Sequence, residues 1–315
     1  MIRFLKKMSV FLIAYMVVAV VFFLLVPAQY PTSYDAAIRD KIDRLERIES
    51  PKIILVGNSN LTFGIVSEEI ENAMGMPVVN LGFNKGFGNI FNENMAKRNI
   101  CEDDLVIICH NNFNDDGKMF NRDEFWFAME NHFDLWDIPG IYGILENAYN
   151  LPWYILKATI HYISGRQNDH YRYNRYDLNE YGDFKPEVHA SVALNSDLNP
   201  NMVKLPSISE TCVKRINALN RYCKERGATL LIAGYPIMDA KDRPADEEFD
   251  KFQAELERRM DCPVISTYTD YIFPLEYFHD PALHLTDKGA LLRTRQLIKD
   301  LTAWRKYEET VQKAN

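Results

Sequence analysis

From Met8 to Val26 the chain carries no charged residue, and this one run constrains it more than any other stretch of its 315 residues. An uncharged apolar run of that length is close to the ~20 residues a membrane-spanning helix needs. Arg3, Lys6 and Lys7 precede it, and basic residues stay on the cytoplasmic side, so the rest of the chain is expected to be exported. A cleaved signal peptide is the competing reading, because Val26-Pro27-Ala28 loosely resembles a small-residue cleavage site. The run exceeds the roughly 7–15 residues of a signal-peptide core, and Pro27 sits awkwardly at such a site. An uncleaved transmembrane anchor over residues 1–30 is therefore the expectation, and both readings export the remainder of the chain.

Beyond the anchor segment the chain holds 33 basic against 44 acidic residues. Such a surface repels a phosphate backbone, so nucleic acid is not an expected partner. The five cysteines (Cys101, Cys109, Cys212, Cys223, Cys262) include no CxxC pair. No Cys/His spacing fits zinc, and Asp115 with Asp116 is a weak hint of a metal that nothing else supports. No metal and no cofactor are expected. Cys109 reads as a small core residue. Cys212 and Cys223 fall on one expected helix, about 16 Å apart in rise, and should not pair with each other.

Residues 31–50 are polar with helical spacing and are expected as a stalk helix. Lys52–Val56 is then a short run, continuously apolar after its lysine and ended by Gly57, the pattern of a buried parallel strand. Ser67–Met74 reads as a helix with Ser67 as N-cap and Gly75 as terminator. Pro77–Leu81 is a second strand, followed by a turn with Gly82, Gly86 and Gly88 and a helix to about Arg98. Asp104–Cys109 is a third strand. This rhythm predicts a doubly wound parallel sheet. After residues 113–205, which have no clean period and read as an insertion over the active-site face, the rhythm resumes. A helix over Ser207–Arg226, a strand over Ala228–Ala233, a helix over Asp246–Met260, a fifth strand over Pro263–Ser266 and a last helix over Thr286–Tyr307 complete the series. The expected fold class is α/β, a three-layer α/β/α sandwich with a flavodoxin-like parallel sheet of about five strands over residues 51–315, preceded by one transmembrane helix.

Two short segments carry chemistry. Ser59, in Gly57-Asn58-Ser59-Asn60, lies just past the carboxyl end of the first strand, where open parallel sheets bind ligands. Near the other end of the chain, Asp280 precedes His284 by four residues, just ahead of the final helix. A serine hydroxyl needs a base to take its proton, and the base needs an orienting carboxylate. Taken alone, Gly-Asn-Ser-Asn is also plain turn chemistry. The two segments together point to a triad of Ser59, His284 and Asp280, with His279 as a competing base. The Tyr171–Tyr176 segment, rich in Tyr and Arg, suits stacking on sugars or clamping a carboxylate, although an amphipathic packing surface is the more common use of such a cluster. The acids at Asp239, Asp242, Asp246, Glu247 and Glu248 read as a solvated loop and helix start.

Gly57-Asn58-Ser59 resembles the first block of the SGNH (GDSL-like) hydrolases, in which Gly-Asp-Ser is usual and the serine is the nucleophile. Asp280 to His284 resembles their last block, and Leu285-Thr286 with Gly289 fits the same pattern, which favours His284 as base. The stretch from Gly57 to Gly88, with Val79-Asn-Leu-Gly82-Phe-Asn-Lys-Gly86, is similar to a membrane-anchored bacterial group related to teichoic-acid D-alanyl transfer proteins and polysaccharide O-acetyltransferases. Three residues separate the acid and base here instead of two, and His110-Asn111-Asn112-Phe113-Asn114-Asp115 does not align with the usual Gly-x-Asn-Asp block without a shift. The resemblance implies oxyanion donors at the backbone N–H groups of Ser59 and Gly86, with Asn112 chosen from three asparagines. It also implies acyl transfer on a cell-surface glycan, on the extracytoplasmic side of the cell membrane. The acyl ester substrate would come from, or alongside, a membrane-bound acyl-donor protein. A carbohydrate esterase and a catalytically silent glycan-binding protein of the same fold are the alternatives.

Overall fold

The computed structural model describes residues 2–114, 117–119, 124–165, 173–186, 203–205, 207–279 and 283–314. In chain order its helices are α1 (Ile2–Leu25), α2 (Ile38–Arg47), α3 (Ser59–Thr62), α4 (Ser67–Met74), α5 (Gly88–Lys97), α6 (Phe125–Met129), α7 (Gly140–Asn147), α8 (Leu151–Ser164), α9 (Glu210–Lys224), α10 (Asp246–Arg259) and α11 (Asp287–Ala314). The strands are β1 (Ile53–Val56), β2 (Val78–Asn80), β3 (Leu105–Ile108), β4 (Thr229–Ile232), β5 (Ile237–Met238) and β6 (Ile272–Phe273). The described residues divide into two compact units, one of residues 1–39 with 121–176, the other of residues 40–120 with 177–315.

The larger unit is built on a parallel four-stranded sheet in the order β2-β1-β3-β4. Side chains alternate across a strand, and here both sets are buried. Ile53, Leu55, Leu105 and Ile107 pack with Ile70 of α4 and with Leu297 and Leu301 of α11. Their neighbours Ile54, Val56, Val106 and Ile108 are equally inaccessible. Burial on both faces is why these strands are apolar throughout. At the amino end of the sheet the buried Lys52 ammonium meets Asp104 at 2.9 Å, and Asp104 also accepts from the backbone N–H of Lys52 and Cys101.

Three features differ from expectation. The fifth strand reduces to one parallel bridge, Ile232 with Val264. The N–H of Ile232 reaches the Pro263 carbonyl, and that of Ile265 returns to Ile232. The chain then turns into a 3-10 segment at Tyr268–Tyr271. Pro263 brings no N–H of its own, which limits how far a ladder can extend there. A separate two-stranded parallel pair, β5 with β6, had no signal in the sequence. Ser67 is the first residue of α4 rather than its cap, because both its N–H and its hydroxyl go to Asp183, each at 2.7 Å. Gly75 ends α4 in the left-handed region (φ 66°), as its type predicts.

The 31–50 segment is packed rather than free-standing. Ile38, Ile42 and Leu45 of α2 are fully buried. Lys41 donates to the carbonyls of Asn80 and Gly182, and Arg44 to that of Val78, so α2 lies along the β2 edge. Cys109 is a buried core residue, and Cys212 and Cys223 are both buried on α9.

In the smaller unit α1 is long and apolar enough to cross a membrane. The described part of the expected insertion, α6 to α8, packs on α1 and on the chain just after it. Phe22 and Phe23 face Tyr154, and Glu130 accepts from the N–H groups of Gln29 and Tyr30 and from the Tyr154 hydroxyl. Of the Tyr/Arg cluster, Asn174 pairs antiparallel with Ser33, and the Arg175 N–H reaches the Thr32 carbonyl. Tyr171 and Arg172 lie outside the described residues.

Lys41 gives the larger unit a measurable pH signature. Burial lowers its pKa to about 7, against the opposing pull of Asp183 and Asp40. The unfolded lysine keeps its proton up to about pH 10. Between these values the unfolded state binds more protons, so stability rises with pH. Urea unfolding of the detergent-solubilised chain at pH 7 and pH 9 should show this rise, and Lys41→Met should flatten it.

Candidate active site

β1 ends at Val56, and Gly57 passes the chain into α3, whose first residue is Ser59. Asn58 caps α3: its side-chain oxygen accepts from the Asn60 N–H (3.1 Å) and the Asn60 side-chain amide (2.6 Å). This cap leaves Ser59 at the carboxyl edge of the sheet, half-buried, with its hydroxyl available to a partner. The turn is held from below. Arg293 of α11, fully buried, donates to the Asn60 carbonyl at 2.6 Å. The Thr62 hydroxyl donates to the Gly82 carbonyl at 2.7 Å. Gly82 must be glycine here, since a Cβ would stand 2.6 Å from the Thr62 nitrogen.

The partner comes from the far end of the chain. His284 Nε2 lies 2.9 Å from Ser59 Oγ, across 225 residues of sequence. A short antiparallel closure sets the imidazole: Phe278 bridges Leu285, the His279 N–H donates to the His284 carbonyl, and the Thr286 N–H to Tyr277. The Leu285 N–H then reaches the Phe63 carbonyl, one turn beyond the serine. The Phe63 ring lies on the His284 ring, with centroids 4.0 Å apart and planes 23° from parallel. Both rings are almost wholly buried, so the imidazole is packed on its face while its edge meets the hydroxyl. For Nε2 to accept the serine proton, the neutral ring must carry its hydrogen on Nδ1. Asp280 lies outside the described residues, and His279, also buried, contributes its backbone to the loop closure.

The oxyanion candidates separate. The Gly86 N–H already donates to the Asn84 side chain at 2.9 Å, inside the 3-10 turn Lys85–Phe87. Asn112 turns its side-chain oxygen to the Asn114 N–H, and its carbonyl accepts from Asn89. Asn111 is the asparagine that joins the Ser59 turn: Asn58 Nδ2 donates to Asn111 Oδ1 at 2.7 Å. The orientation follows from bonding. Asn58 spends its oxygen on α3, so its amide nitrogen faces Asn111, which must answer with oxygen and keep its own NH2 as a donor. The sequence singled out Asn112 among three asparagines, whereas the contact made by Asn111 depends on the Asn58 rotamer. His110, just before it, is buried against Glu93, which also pairs with Arg215. These two partners hold Glu93 below the usual carboxylate range even though burial works in the opposite direction.

Among the described residues no cluster of three or more His, Cys, Asp or Glu could hold a metal ion. The chain matches no protein-family model, no curated protein and no solved structure.

A double-mutant cycle tests the Asn58–Asn111 link. Asn58→Ala should cost about 1–2 kcal/mol of unfolding free energy through the lost cap. Combined with Asn111→Ala, the loss should fall short of the sum by about 0.5 kcal/mol or more, the coupling expected of contacting residues.

Proposed function

We propose that this chain is an SGNH-like serine enzyme that transfers an acyl group on a cell-surface or exported polysaccharide. The observation that carries the proposal is the 2.9 Å approach of His284 Nε2 to Ser59 Oγ at the carboxyl edge of a parallel sheet. The strand order β2-β1-β3-β4, with Val264 bridged to β4, follows the flavodoxin-like pattern. We read the larger unit as a three-layer α/β/α sandwich with Ser59 and Asn111 at the β1/β3 switch point. α1 anchors the chain, and the larger unit works on the extracytoplasmic side.

In this mechanism His284 takes the Ser59 proton on Nε2 as Oγ attacks the ester carbonyl. The oxyanion forms against the Ser59 N–H and the Asn111 amide, which replaces Asn112 in that role. His284 returns its proton to the departing alcohol, leaving an acyl-Ser59 ester. A sugar hydroxyl then gives its proton to His284 and attacks the acyl carbon, and His284 returns that proton to Ser59 Oγ as the acyl–Oγ bond breaks. Water as the second nucleophile makes the same site an esterase. The resemblance gives Asp280 the task of holding the Nδ1 hydrogen and stabilising the imidazolium. A membrane-bound acyl-donor protein is the partner an anchored transferase would use.

The test is turnover of an activated acetyl ester by the detergent-solubilised chain. Ser59→Ala and His284→Ala should each lower kcat/KM by about 10³-fold or more. Asp280→Asn should be strongly impaired, and His279→Ala should stay near the parent rate. Activity that survives Ser59→Ala would refute the reading.

A further inference from the structure

α7 and α8 expose large apolar and aromatic side chains that the smaller unit itself does not cover. Ile141, Tyr142, Leu145, Trp153, Ile160 and Ile163 are all at least half exposed, Tyr142 by 84% and Ile163 by 79%. Across residues 140–164 the only formally charged side chains are Glu146 and Lys157. In water such a surface would be a liability.

Its neighbour within the same unit is α1. The Tyr15 hydroxyl donates to the Ala148 carbonyl at 2.9 Å, Phe22 and Phe23 stack around Tyr154, and the Tyr30 ring meets His161 at 5.1 Å. These pairings rise together in sequence, so α8 runs parallel to α1 and the link between α7 and α8 lies level with Tyr15. Ten residues of helix separate Tyr15 from the end of α1 at Leu25, about 15 Å of rise. That is roughly half the ~30 Å hydrocarbon thickness.

The link between the helices has a second property. Its carbonyls are capped by side chains from elsewhere in the unit: Asn147 by the Trp126 indole at 3.1 Å and Ala148 by Tyr15, while the Asn147 amide donates to the Gly143 carbonyl. Backbone at membrane depth has to be satisfied by protein, because no water is there to do it. Tyr142 and Tyr162, near the ends of α7 and α8 away from the link, are of the ring type that favours the interfacial zone.

We infer that α7 and α8 form a re-entrant hairpin. It enters the leaflet at the carboxyl end of α1, turns near the bilayer midplane beside Tyr15, and returns along α1 with its exposed face in phospholipid acyl chains. The inference requires α1 to lie in the bilayer and is independent of the catalytic proposal.

The test is site-directed spin labelling of the full chain, in a Cys101→Ser background, reconstituted in phosphatidylcholine/phosphatidylglycerol vesicles. Labels go on Leu145→Cys, Ile141→Cys and Ile163→Cys, with Val18→Cys reporting α1 and Glu247→Cys, on exposed α10, as the aqueous reference. Collision with oxygen relative to a water-soluble nickel complex should be several-fold above the Glu247 value at Leu145, lower at Ile141 and lowest at Ile163. Tyr15→Phe should reduce the ratio at Leu145. Ratios at Leu145 equal to the aqueous reference would overturn the hairpin, whatever Val18 reports. Loss of access to both reagents with spin–spin broadening would overturn it in favour of a second copy of the chain.

Discussion

One backbone hydrogen bond, from the Leu285 N–H to the Phe63 carbonyl, ties together the two segments on which the proposed catalytic pair depends. It joins the loop that carries His284 to the turn that carries Ser59, two segments with no proximity along the chain. The stacked rings of Phe63 and His284 then orient the imidazole. The parallel sheet makes the meeting workable: β1 delivers α3 to its carboxyl edge, and α11 starts close behind His284 and sends Arg293 back under the same turn.

Behind this pair stands a polar network that tolerates little change. Asp183 accepts from the Ser67 N–H and hydroxyl and from Asn80, while Asn80 also donates to the Leu61 carbonyl and accepts from the Gly82 N–H. Lys41 reaches the Asn80 and Gly182 carbonyls beside it. Burial raises the Asp183 pKa, and the bonds from Ser67 and Asn80 work against that rise. The network ties β2, α3 and α4 together, so the serine turn is braced by hydrogen bonds as well as by packing. Such groups, once buried, are costly to leave unmatched.

The central strands were legible because each is a short apolar run buried on both faces, a pattern that survives without knowledge of its neighbours. Pro263–Ser266 looked similar, yet it sits at the sheet edge, where a proline and an early turn leave one bridge. Ser59 and His284 were legible by residue type and position. The contact of Asn111 with the Ser59 turn was not, because it depends on how Asn58 uses its two amide atoms. The Gly86 N–H looked available in sequence and is engaged locally by Asn84. The region after Phe113 had no readable period for a different reason. Its helices answer to α1 as a packing partner, so their pattern reflects contacts with a segment about a hundred residues earlier and not a water-facing amphipathic rule.

The central claim is that His284 activates Ser59, and covalent labelling tests it most directly. The solubilised chain would be treated with a fluorophosphonate and the modified peptide located by mass spectrometry, beside a His284→Ala control. The account predicts a phosphonyl adduct on Ser59 that forms readily in the parent chain and is lost in the control. An unmodified Ser59 in folded protein, or an adduct formed equally fast without His284, would contradict it.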